Sequence, residues 1–127
     1  MTPARLQRHL RRLTLVLAAV GVAYLYTRFE LLPLPEQGCS PLRRLRAGTL
    51  LWVDRRPARL EVGDVVFFRL EGGTIALGEV ARREEQPARS WVLTDDPLCP
   101  GVDSDDLGWI SDADVHGRLM MALDPGS

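Results

Sequence analysis

The side chains best suited to chemistry in this sequence are an adjacent cysteine and serine, Cys39 and Ser40. A serine hydroxyl becomes an efficient nucleophile only when a neighbouring base takes its proton, and a cysteine thiol needs a nearby cation or histidine. All 16 basic residues are arginine, so no lysine can serve as the base. The two histidines, His9 and His116, lie far from Ser40 along the chain. From these residues alone, a loop serine and an unreactive cysteine are favoured over an efficient nucleophile.

An acidic segment near the C-terminus is a second candidate site. It contains Asp95, Asp96, Asp103, Asp105 and Asp106. Clustered carboxylates are ligands that calcium prefers, but the spacing matches no EF-hand loop, and aspartates are common in solvated turns. We therefore expect turn residues here, with no metal and no cofactor.

The two cysteines allow a single disulfide, between Cys39 and Cys99. Such a bond is permitted if this part of the chain lies outside the cytoplasm. The alternative is two unrelated small apolar residues.

The N-terminal region contains a long apolar run that predicts the location of the rest of the chain relative to a membrane. The run from Leu13 to Tyr26, LTLVLAAVGVAYLY, carries no charge and would form a helix of roughly 21 Å. Leu31 and Leu32 can extend it towards the hydrocarbon thickness of about 30 Å, and arginines flank it. We expect a cytoplasmic basic tail over residues 1–12 and a transmembrane anchor over residues 13–32, since basic residues stay on the cytoplasmic side.

Three other interpretations of this run are open. A cleaved signal peptide has the same charge and length pattern, although the bulky Tyr24, Leu25 and Tyr26 leave no clean cleavage site. A buried core helix and an amphipathic interfacial helix both require a polar face, which the run lacks. The uncleaved anchor predicts one pass through the plasma (inner) membrane, with the C-terminal domain extracytoplasmic.

The remainder of the chain has the pattern of β-structure. Pro33 and Pro35 favour an extended linker over residues 33–47, which contains Ser40. Residues 48–127 hold short runs of strand-forming residues separated by glycine, proline and aspartate. The Gly72–Gly73 pair predicts a hairpin between two of these runs. These features predict an all-β domain, either a barrel or folded sheets. The basic residues near the N-terminus adjoin an apolar run rather than cover a folded face, which argues against nucleic-acid binding.

The order of these motifs resembles bacterial signal peptidase I, a family of membrane-anchored serine proteases with a largely β catalytic domain and a serine–lysine dyad. The best match is the strand VGDVVFF at residues 62–68. Ser40 has Gly48 at the spacing of the nucleophile box, although proline and arginine replace two of its residues. Asp95, Asp103, Ser104 and Gly108 agree with the last box.

The resemblance implies a role for four positions. Ser40 would be the nucleophile, and Asp103 and Ser104 would support the site. The family's general-base lysine falls on Gly78, which has no side chain and cannot accept a proton. A base supplied by His116 would have to come from another strand.

These departures lead to two expectations for function. The first is a catalytically impaired signal peptidase-like protein that binds exported precursor peptides or assists a membrane protein partner. The second is an active serine endopeptidase that processes exported precursors with a nonstandard or partner-supplied base. A plain β-domain with similar Gly-Asp turns is a weaker third interpretation.

Overall fold

The computed structural model describes residues 2–34, 40–99 and 101–123. The chain begins with a long helix, and the rest is mainly strands. In chain order the elements are α1 (Pro3–Arg28), β1 (Phe29–Pro33), β2 (Leu50–Asp54), β3 (Val65–Arg69), β4 (Ile75–Glu85), β5 (Ala88–Leu93), α2 (Ser104–Leu107), β6 (Ile110–Ser111), a single 3₁₀ turn (Asp112–Asp114) and β7 (Val115–Leu123).

The strands form one antiparallel sheet, a half-barrel with the order β1-β2-β7-β3-β4-β5-β6. β7 is last in the chain yet lies between β2 and β3, so the C-terminal strand joins the two parts of the sheet. Gly72 and Gly73, with φ of 94° and 89°, make the tight turn of the β3–β4 hairpin. This confirms the predicted sheet-rich domain and its Gly-Gly hairpin.

The core lies on both faces of β3, which explains the continuous apolar run in this strand. Val65 and Phe67 pack in one cluster, and Val66 and Phe68 pack in the other. The first cluster also holds residues of β2, β4 and the segment before β2: Leu42, Leu45, Leu51, Val53 and Leu77. The second is completed by Leu60, Val80, Val92 and Ile110.

Helix α1 has no buried residue, so it does not pack against the sheet as a core helix would. It is long and apolar enough to span a membrane. Thr2 caps its N-terminus and Pro3 occupies the first turn, so the predicted basic tail belongs to the helix.

The helix ends at Arg28, earlier than the predicted anchor of residues 13–32. Phe29 adopts an extended conformation, and the next residues pair with β2 from Phe29↔Asp54 to Pro33↔Leu50. Leu32, predicted to extend the membrane anchor, instead packs against the first core cluster of the sheet domain. The sheet domain therefore begins inside the predicted anchor, and Pro33, predicted to begin a linker, is the last residue of a strand.

Candidate functional site

Ser40 is buried, and its hydroxyl is occupied by its own loop. The Oγ donates a hydrogen bond to the carbonyl oxygen of Leu42 at 2.9 Å and accepts one from the Leu42 N–H at 3.3 Å. Within the described part of the chain, no histidine or carboxylate makes a hydrogen bond to this hydroxyl. The serine therefore stabilises a turn, and the structure gives it no base to remove its proton.

The segment that carries Ser40 is fixed to the loop after β5. The Pro41 carbonyl accepts hydrogen bonds from the N–H groups of Asp95 and Asp96, at 3.1 and 3.2 Å. In return, Asp95 Oδ1 accepts the Arg43 N–H at 2.8 Å. Three bonds between segments so distant in sequence place Ser40 beside the predicted acidic segment.

Asp103 and Ser104, the predicted supporting residues, bond to the end of β5 and to Thr94, the residue that follows it. Asp103 caps α2, and its Oδ2 accepts hydrogen bonds from both the N–H and the hydroxyl of Thr94 at 3.1 Å. The buried Ser104 Oγ accepts the Val92 N–H at 2.7 Å. Since Thr94 adjoins Asp95, these side chains and the Ser40 segment belong to one hydrogen-bonded region.

The expected base position is closed by packing. Gly78 lies on β4, is buried, and pairs with Val66. A Cβ atom at this position would overlap Val92 Cγ1 and lie 3.1 Å from the Leu93 carbonyl oxygen. A side chain at position 78 would therefore displace Val92 or the β5 backbone, so the sheet as packed has no room for a lysine here.

The other candidate groups lie elsewhere or have other partners. His116 Nε2 is 3.0 Å from Glu30 Oε2, across β2 from its own strand, and makes no bond to Ser40. Cys99 is buried and disulfide-bonded, but its predicted partner Cys39 lies outside the described residues, so that pairing stays a prediction. Among the described residues, no group of three or more histidine, cysteine, aspartate or glutamate side chains is arranged to hold a metal.

A largely apolar groove of about 360 Å³ lies beside the Ser40 segment. Its lining includes Pro41, Gly101 and Val102 together with residues at the end of β1 and the start of β4. The remaining lining residues are Leu32, Pro33, Leu34, Leu51, Phe67, Ile75, Ala76 and Leu77. Ile75 and Val102 keep about two fifths of their surface exposed at the rim, 41% and 39%. Such a surface suits an extended apolar segment better than a small polar ligand.

An ion pair between the partly exposed Arg28 and the buried Asp54 links the helix to the sheet, and it is not evident from the sequence. Arg28 Nε and Nη2 donate to the two carboxylate oxygens of Asp54, at 3.2 and 3.1 Å. Burial by itself would raise the pKa of Asp54, but hydrogen bonds from Arg28 and from the Arg56 N–H outweigh it, so the pKa is lowered. The pair could not be found from sequence because the two residues are brought together only by strand pairing.

No protein-family model matches the chain, and no curated protein matches it significantly.

Proposed function

We propose that the protein is a single-pass membrane protein whose signal peptidase-like β domain binds exported peptides, or assists a membrane assembly, without efficient proteolysis. In this proposal α1 spans the plasma (inner) membrane, with the basic N-terminus in the cytoplasm and the sheet domain outside it. The observation that carries the proposal is the pairing of an apolar groove with a serine that has no base among the residues described by the structure.

Two contacts among the described residues support a Ser40 without a base. The Ser40 hydroxyl already donates to the Leu42 carbonyl, so it would have to rotate away before it could attack a substrate. The position at which the family places its lysine is filled by Val92. An unactivated serine next to an oxyanion hole retains only a small part of a protease's rate.

Peptide binding is supported by the groove and by the edge of the sheet next to it. β1 is an edge strand, pairing only with β2 among the described strands, and its residues Leu32 and Pro33 line the groove. Edge strands offer backbone hydrogen bonds to an added extended peptide, and adjacent apolar pockets select its side chains. The hydrophobic segment of an exported precursor has the matching chemistry.

The alternative is an active serine endopeptidase that obtains its base from a partner. It is favoured by a single observation: Pro41, the residue after Ser40, lines the groove, so a bound peptide would pass close to the hydroxyl. The two proposals differ in whether the bound peptide is cut.

The test uses the full-length protein in detergent micelles with a fluorescently labelled exported precursor. Binding is measured by fluorescence anisotropy and cleavage by gel electrophoresis after long incubation. We expect saturable binding without cleavage, and the same binding for Ser40→Ala. Ile75→Arg should weaken binding because it puts a charge at the rim of the groove.

Val62→Arg is the matched control, since Val62 is an exposed apolar residue outside the groove. Binding that is equally weakened by both arginine variants would refute the groove as the binding site. Cleavage that disappears with Ser40→Ala would refute the loss of activity and establish the endopeptidase.

A further inference from the structure

A row of large apolar side chains crosses the sheet on the face away from the core. Leu31 of β1 pairs with Trp52 of β2, and Trp52 pairs with Met121 of β7. Their exposed fractions are 55%, 40% and 52%. Three neighbouring strands thus expose a continuous row of apolar side chains. Single exposed apolar residues are common on protein surfaces, but a continuous patch marks an interaction site.

This row is continuous with the lipid-compatible surface of α1. A shallow apolar cavity of about 370 Å³ joins them, with Val22, Leu25 and Tyr26 on the helix and Trp52 on the sheet. Phe29, at the junction, packs edge-to-face against Trp52 with ring centroids 5.9 Å apart. The apolar surface of the helix therefore does not stop where the helix ends.

The junction holds this face in a fixed direction relative to the helix. The two hydrogen bonds between Arg28 and Asp54 tie the last helical residue to the end of β2. The Arg55 N–H donates to the Arg28 carbonyl at 2.7 Å, and its guanidinium donates to the Tyr26 carbonyl at 3.0 Å. Because these bonds connect the last turn of α1 to the end of β2, the exposed apolar row lies next to the helix.

Basic residues border the same end of the sheet. The turn after β2 carries Arg55, Arg56 and Arg59, all exposed. Within the described residues, the Arg56 side chain has no carboxylate partner, and Arg59 has only a long contact of 3.9 Å to Glu61. Aromatic and apolar groups bordered by arginines have the composition of a surface at the lipid headgroups.

We propose that the outer face of β1, β2 and β7 lies on the bilayer, with Leu31, Trp52 and Met121 in its interfacial layer and Arg56 at the phosphates. The occupant of this face is phospholipid. The inference rests on the proposed membrane anchor, and goes beyond it by assigning a second membrane contact to the sheet domain. It places the domain against the membrane rather than free on a tether.

The test measures the depth of Trp52 in nanodiscs of anionic phospholipid brominated near the headgroup end of the acyl chain. Trp91→Phe/Trp109→Phe leaves Trp52 as the only tryptophan, and Trp52→Phe/Trp109→Phe leaves Trp91 on β5 as the matched control. Bromine should quench the emission of Trp52 strongly and that of Trp91 weakly. If the first variant fails to fold, Trp52→Phe alone should remove most of the quenchable emission of the natural protein.

Two outcomes separate this inference from the anchor on which it rests. If the protein resists extraction from membranes at alkaline pH but Trp52 is not quenched, the anchor stands and the lipid contact is refuted. That result would leave the apolar row to a second copy of the chain or to a partner helix. If alkaline pH extracts the protein, the anchor itself is refuted.

Discussion

The packing of Val92 over Gly78 leaves no room for a side chain at position 78, and this packing can be tested by a double-mutant cycle. A Cβ at position 78 overlaps Val92 Cγ1 and approaches the Leu93 carbonyl. Overpacking of a buried site costs about 1–3 kcal/mol of folding free energy. For a domain of this size, Gly78→Ala should then lower the melting temperature by roughly 5–20 °C.

The partner substitution should partly relieve this strain. Val92→Ala alone costs about 2 kcal/mol, because it removes two buried methyl groups and leaves a small cavity. In the double variant the new methyl at position 78 fills part of that space, so the two costs should not add. We expect a favourable coupling of about 1 kcal/mol or more, as is typical of residues in contact.

The assay is thermal unfolding of full-length protein in detergent, followed by tryptophan fluorescence so that the exposed helix does not dominate the signal. The control cycle combines Gly78→Ala with Leu51→Ala, a fully buried leucine on β2 that belongs to the other core cluster and is not among the atoms nearest the new Cβ. The control pair should add within about 0.5 kcal/mol. Additivity of the Gly78 and Val92 changes would refute the proposed blockage.

Two further changes test the parts that position the site. Asp54→Asn should lower the melting temperature at neutral pH, because Arg28 loses its carboxylate partner. The pKa of Asp54 in the folded protein lies below its ordinary value of 3.8, so the carboxylate is protonated in the unfolded chain at a higher pH than in the folded one. The stabilisation of the fold by the Arg28–Asp54 pair is therefore fully present above the ordinary pKa. It is lost as the pH falls through the lower, folded-state pKa. The melting curves of Asp54→Asn and the natural protein should therefore converge in acid, and a gap that persists there would contradict the role of the charge. Ser104→Ala should cost about 1–3 kcal/mol in chemical denaturation, since it leaves the buried Val92 N–H without an acceptor, and an unchanged midpoint would contradict this.

The sheet could be predicted from the sequence because its strands are marked locally. The run at Val65–Phe68 and the Gly72–Gly73 pair identify β3 and its hairpin without any tertiary information. The position of β7 between β2 and β3 could not be predicted, because strand order depends on pairings between residues far apart in the chain. The end of the helix was missed for a similar reason: Leu31 and Leu32 suit a span as well as a strand, and only pairing with β2 decides.

The residues of the candidate site could be proposed from the sequence, but their contacts could not. The resemblance named Ser40, Asp103 and Ser104 and placed the missing base at Gly78, and their roles stay predictions. The sequence could not show that the serine hydroxyl bonds to Leu42, nor that Asp103 caps a helical turn while accepting bonds from Thr94, just after β5. Hydrogen bonds of short polar side chains depend on backbone geometry that residue type does not determine.

The most direct test of the account is site-specific photo-crosslinking from the groove. A photoreactive amino acid replaces Ile75 in the full-length protein, and Val62 carries the same group in the control. Irradiation of cells that express a tagged exported precursor should give an adduct at Ile75, with the mass of the protein plus the uncut precursor, and none at Val62. An adduct that contains only a cleaved fragment, or equal crosslinking from the two positions, would contradict a groove that binds exported peptides without cutting them.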